Sequence, residues 1–86
     1  MNFRVKRMRE IYPSALKHGV AKADINHGLK HAIRIIDQDD GLRLYLGAAT
    51  NGELLEVLTY PHPDRSELVV HAMKMRPKYV SLLPRE

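Results

Sequence analysis

GLRLYLGAATNGELLEVLTY, residues 41–60, decides the architecture. Leu42, Leu44 and Leu46 alternate with Arg43, Tyr45 and Gly47, the period of two that marks a half-buried strand. Asn51-Gly52 is a hairpin turn pair, and Glu53 to Tyr60 (ELLEVLTY) reads as the returning strand. Working outward, Asp40-Gly41 is another turn pair, and the β-branched run Ile33 to Asp37 before it is a strand. On the other side, Pro61-His62-Pro63-Asp64 is a loop, because two prolines cannot sit in a central ladder. Ser66 to Lys74 is then a fourth strand. Strands joined in this order predict an antiparallel meander.

The flanks read as helices. Pro13 suits the first turn of a short helix, Ser14 to His18, which Gly19 closes. Ala21 to His31 is a second helix, with Ile25, Leu29 and Ala32 on one face. Gly28 inside it costs about 1 kcal/mol relative to Ala. Pro77 opens a short terminal helix with Tyr79, Leu82 and Leu83 as its apolar side. Phe3, Val5, Met8 and Ile11 fit neither period, so the first dozen residues stay unassigned. Helices grouped before a meander predict one α+β domain over residues 1–86, the helices on one face of a four-stranded antiparallel sheet.

Composition limits the function classes. At 86 residues and 44% hydrophobic, the chain supports one core and is not a disordered tail. A chain of this size buries only about 60% of its unfolded surface, so a bound partner would add needed stability. The absence of cysteine excludes a disulfide scaffold, a zinc finger, an iron–sulfur site and a thiol nucleophile. No apolar run approaches the roughly 20 residues of a membrane helix. The basic start, MNFRVKRMRE, has no apolar stretch behind it and is not a secretory signal. A cytoplasmic protein with no membrane association is the expectation. The charge is segregated: +5 over residues 1–22, −4 over 23–69 and +3 over 70–86. Basic ends that meet would form a positive surface for a phosphate backbone, and basic ends that do not are merely solvated.

VVHAMKMRPKY, residues 69–79, holds the densest chemistry: His71, Lys74, Arg76, Lys78 and Tyr79. Strict alternation puts Val69, His71 and Met73 on one strand face, and Leu68, Val70 and Ala72 on the helix-covered one. An imidazole acts as acid or base near neutral pH. Arg and Lys hold a phosphate and stabilise charge that develops on it, and a tyrosine stacks on a base or donates a proton. Those parts suffice for RNA cleavage by the 2′-hydroxyl, with no metal and no cofactor. A hydrogen-bonded, structural His71 beside a solvated basic turn is the plainer alternative. Arg43 and Tyr45 share a face that a meander can align with His71, and Lys17 and Lys78 extend the basic surface toward RNA. Lys17-His18 at a helix end is accounted for by the helix dipole. His27 and His31 lie four apart on one face, but no third ligand stands at zinc spacing, so no metal site is expected. Ser14, Ser66 and Ser81 sit in no nucleophile-elbow pattern.

Lys17-His18-Gly19-Val20, Leu44-Tyr45-Leu46-Gly47, Gly52-Glu53-Leu54-Leu55-Glu56-Val57 and Val69-Val70-His71-Ala72-Met73-Lys74 together resemble the BrnT-type toxins. These are small ribonuclease toxins of bacterial type II toxin–antitoxin pairs, related to the RelE fold. The resemblance runs from about Ser14 to Tyr79. It implies a RelE-like sheet-plus-helix fold, RNA cleavage without metal or cofactor, and a cognate antitoxin that caps the active face. It leaves a homodimer and a toxin–antitoxin hetero-oligomer both open. The family's last strand carries a serine at the position of His71 and an arginine at that of Met73, while Lys74 and Tyr79 match. Arg76 or Arg43 must then take the arginine's place in a catalyst. A non-catalytic nucleic-acid-binding or regulatory module tolerates the change. A helix-turn-helix over Lys17 to His31 has few base-reading groups beyond Lys22, Asn26 and Lys30.

Overall fold

The computed structural model describes residues 9–64 and 66–85. Arg4, Lys6 and Arg7, half of the basic groups of the N-terminal segment, lie outside them, as do Phe3, Val5 and Met8. Strand β1, Arg9–Ile11, leads into a 3-10 helix, Pro13–Leu16. Helix α1, Lys22–Lys30, follows, then β2 (Ala32–Asp37), β3 (Arg43–Ala48), β4 (Leu54–Pro61) and β5 (Glu67–Lys74). A second 3-10 helix, Pro77–Leu82, comes last. The class is α+β, and β2 to β5 pair antiparallel in chain order. The expected four-stranded sheet needs correction. A fifth strand, β1, joins it in parallel beside β5, giving the order β1-β5-β4-β3-β2. Three residues carry too little periodicity to announce a strand; the cause of the pairing is tertiary.

That cause is visible at Glu67, whose side chain is buried on the helix-covered face. Register pairs Arg9 with Glu67, and the Arg9 guanidinium lies 3.6 Å from the carboxylate. Tyr45 donates its hydroxyl to the same carboxylate, and Thr59 donates to it at 2.9 Å. Burial alone would push Glu67 up; the hydrogen bonds from Tyr45 and Thr59 and the charge of Arg9 outweigh it and hold the carboxyl below the ordinary carboxylate range. Burial, then the bond to Glu67, pushes the Tyr45 hydroxyl the other way.

The helices cover one face of the sheet. Ala15 from the first 3-10 helix and Ile25 and Leu29 from α1 pack with Tyr45, Leu55, Val57, Val69 and Ala72. A helix of 9 residues is marginal in water by itself, so this burial holds it, at about 1.5–3 kcal/mol per large side chain. The helix sits so close that a Cβ on Gly47 would fall 2.1 Å from the Gly28 carbonyl oxygen. Two polar ties fix its ends: Asp24 accepts from the Thr50 N–H and hydroxyl at 3.0 and 2.6 Å, and His27 Nδ1 donates to the Ala48 carbonyl at 2.6 Å. The hairpin glycines Gly41 and Gly52 both adopt φ of 87°, as their turn pairs required.

Strict alternation along β5 also needs correction. Leu58 pairs with His71 while Thr59 pairs with Val69, so Val70 is the extra residue of a β-bulge. Val69 and Ala72 therefore both reach the core, each fully buried. Leu68 pairs with Tyr60 on the opposite face, where His71 and Met73 also stand. Among the described residues, no helix is long and apolar enough to cross a membrane.

Candidate active site around Glu56, His71 and His18

The opposite face of the sheet carries a buried acid. Glu56 pairs with Leu46 on one side and Met73 on the other, and it is 0% exposed. An ionised carboxylate there must be satisfied by protein groups. The chain leaving β5 supplies them. The main-chain N–H of Arg76 donates to Glu56 at 3.0 Å, and the Arg76 guanidinium donates through Nη2 at 2.7 Å and Nε at 3.1 Å. His71 Nε2 lies 3.0 Å from Glu56 Oε1, and since a carboxylate only accepts, the imidazole donates. Burial would raise the Glu56 carboxyl, but Arg76 and then His71 outweigh it and hold the group below the ordinary range.

The consequence falls on His71. Glu56 fixes Nε2 as the proton-bearing nitrogen and leaves Nδ1 to act as a base. A carboxylate behind an imidazole also stabilises the imidazolium that forms when the base takes a proton. The bulge at Val70 makes this possible, because without it His71 would share the core face with Val69.

A second imidazole stands beside the first. β1 pairs only with Glu67, Leu68 and Val69, leaving the rest of that edge of β5 uncovered by a strand. The segment after β1 covers it, and Ser14 donates to the Val70 carbonyl at 2.7 Å. This brings the His18 ring to 5.4 Å from the His71 ring, at 74° to it. His18 is thus more than a cation at a helix end: a 3-10 helix of four residues places it against the strand. Sequence spacing carried no signal for this contact, because it joins residues 53 apart through a strand edge. Glu56 was equally illegible, reading as one polar residue in an alternating run.

The other expected site residues divide between two places. Arg76 and Tyr79 join the Glu56 cluster, with the Arg76 guanidinium 5.9 Å from the Tyr79 ring and Lys78 Nζ 5.0 Å from it. Lys74 pairs with Leu55 on the helix-covered face, and its ammonium lies 3.2 Å from Glu53. Lys17 is exposed next to His18. Arg43 and Tyr45 are corrections, because their face is the covered one and does not carry His71. Tyr45 is 1% exposed with its hydroxyl on Glu67, so it cannot stack on an RNA base. Arg43 binds Asp37 at 2.7 Å. Among the described residues, no group of three or more His, Asp or Glu is placed to hold a metal.

Compared with protein-family models, curated proteins and solved structures, the chain finds no match.

Proposed function

We propose that this chain is the toxin component of a bacterial type II toxin–antitoxin pair, of the BrnT type on a RelE-like fold, and that it is a cytoplasmic endoribonuclease. The observation that carries the reading is the His71 imidazole, held by the buried Glu56 carboxylate with one nitrogen left to accept a proton. In the reaction the 2′-hydroxyl loses its proton to His71 Nδ1 as its oxygen attacks phosphorus. The P–O5′ bond breaks, and an acid returns a proton to the leaving oxygen. The products are a 2′,3′-cyclic phosphate and a 5′-hydroxyl. The Arg76 Nη1 edge, not used by Glu56, attracts the phosphate, and Tyr79 flanks it. The chemistry asks for no metal or cofactor. RNA and a cognate antitoxin are the proposed partners, the antitoxin covering the His71 face.

One observation favours a non-catalytic nucleic-acid-binding or regulatory module instead. Arg76, the candidate replacement for the arginine missing at Met73, spends its main-chain N–H and two guanidinium nitrogens on Glu56. Cleavage decides between the two. Wild type and His71→Gln are purified, checked for equal thermal stability, and given a single-stranded RNA with EDTA present. The ribonuclease reading expects cyclic-phosphate ends from the wild type and a loss of roughly 10²–10⁴-fold in the variant. Intact RNA with wild type, and undisturbed growth when it is expressed without an antitoxin, would leave the binding module.

A further inference from the structure

A cavity of about 380 Å³ is lined in part by His18, whose ring contacts that of His71. That volume lies in the range of small-molecule pockets. Its walls are of two kinds. Val20, Ala21, Ala49 and Leu55 are apolar; His18, Asn51, Glu53, Lys74 and Asp24 are polar. Their commitments decide what fits. Asp24 is spent on Thr50. Asn51 accepts the Glu53 N–H through Oδ1, which leaves its amide N–H₂ for a ligand. Glu53 and Lys74 pair at the exposed mouth. Lys74 and Glu53 cancel, so the interior suits a flat, mostly neutral group with polar edges more than a bare anion. A nucleobase is such a group: an apolar surface and an imidazole receive its face, and the Asn51 amide meets its edge. The phosphate attached to it would then lie toward His18, the residue shared with the reaction centre.

We propose that this cavity binds one ribonucleotide of the RNA substrate, the one whose 2′-hydroxyl attacks, and that His18 separates its base from the scissile phosphate and supplies the second acid–base group. The proposal rests on the ribonuclease reading for its reaction, but its binding half is measured without cleavage. His18 meets His71 ring edge to ring face, with Lys17 adjacent in sequence, and both His18 and Lys74 line the cavity. His71 faces Glu56.

The probes are the four ribonucleoside 3′-monophosphates, titrated to millimolar concentration into isotope-labelled full-length protein and followed by amide and imidazole NMR shifts. At least one is expected to move Val20, Ala21, Asn51, Leu55 and the His18 ring. Lys74→Gln should weaken that binding roughly fivefold. Ala21→Phe should abolish it by filling the cavity, with the fold confirmed by the unchanged remainder of the spectrum. Shifts elsewhere, or none, overturn the subsite even if RNA is cleaved. Equal shifts from inorganic phosphate alone overturn it in favour of an anion site. Nucleotide binding in the cavity without RNA cleavage keeps the subsite and removes the ribonuclease. For the acid–base half, wild-type cleavage should show a bell-shaped pH profile, and His18→Gln should lose one limb of it. A profile that keeps both limbs overturns that role.

Discussion

At the residue scale, two buried carboxylates organise the molecule, one on each face of the sheet. Glu67 ties β1, β3, β4 and β5 together through Arg9, Tyr45 and Thr59. Tyr45→Phe removes one donor and leaves the carboxylate less satisfied. It should lower unfolding free energy by about 1–3 kcal/mol in a urea titration. Glu56 serves the other face, binding His71 and Arg76. Glu56→Gln presents an amide N–H₂ to groups that are themselves donors. A loss of about 2 kcal/mol is expected, since Arg76 is partly exposed and water takes up some of its charge. Because Glu56 positions His71, the proposed ribonuclease reading expects its variant also to shift the pH profile of cleavage, which a purely structural residue would not do.

At the element scale, the seat of α1 on β3 rests on two glycines facing each other, and they are not equivalent. A Cβ on Gly47 would strike the Gly28 carbonyl, main chain against main chain. Gly47→Ala should cost about 3 kcal/mol by forcing the helix off the sheet. A Cβ on Gly28 meets its nearest neighbours at 3.5 Å, an ordinary contact. Gly28→Ala should therefore be neutral or stabilising by up to about 1 kcal/mol, through helix propensity. Paired thermal melts of the two variants test the contrast. If both destabilise equally, the helix does not sit on β3 in this way. The glycine that weakens the helical reading of residues 21–31 is thus not required by packing, and its partner in β3 is the one geometry requires.

For the whole molecule, acid sensitivity follows from the same two groups. Glu56 and Glu67 are both held below the ordinary carboxylate range in the folded chain. A group depressed by folding binds fewer protons in the native than in the unfolded state. Its stabilisation is present above the unfolded pKa, about 4.3 for a glutamate, and is lost as pH falls through the folded value. Thermal stability should stay level from neutrality to about pH 5 and fall steeply below it. Glu56→Gln should flatten that acid limb; an unchanged limb would show that Glu56 carries little of it.

The meander was written locally. Leu42, Leu44 and Leu46, the pairs Asp40-Gly41 and Asn51-Gly52, and the prolines at 61 and 63 each act over a few residues, so period and turn chemistry reveal them. Pro13 and Pro77 mark the starts of the two 3-10 helices in the same way. His71 was visible as a reactive side chain in a basic strand, but its face depends on one extra residue, Val70, which pairing with β4 alone defines. Tyr45 shows the opposite failure: a strand pattern cannot tell a surface tyrosine from one buried on Glu67. The chain by itself determined β2 to β5, the turns and the stock of polar and basic groups near the last strand, because short-range sterics and periodicity encode them. Only the tertiary structure decided that β1 joins β5, that Glu56 holds His71 and that His18 meets it. Each of those is a contact between distant residues, set by burial and by the need to satisfy a buried charge.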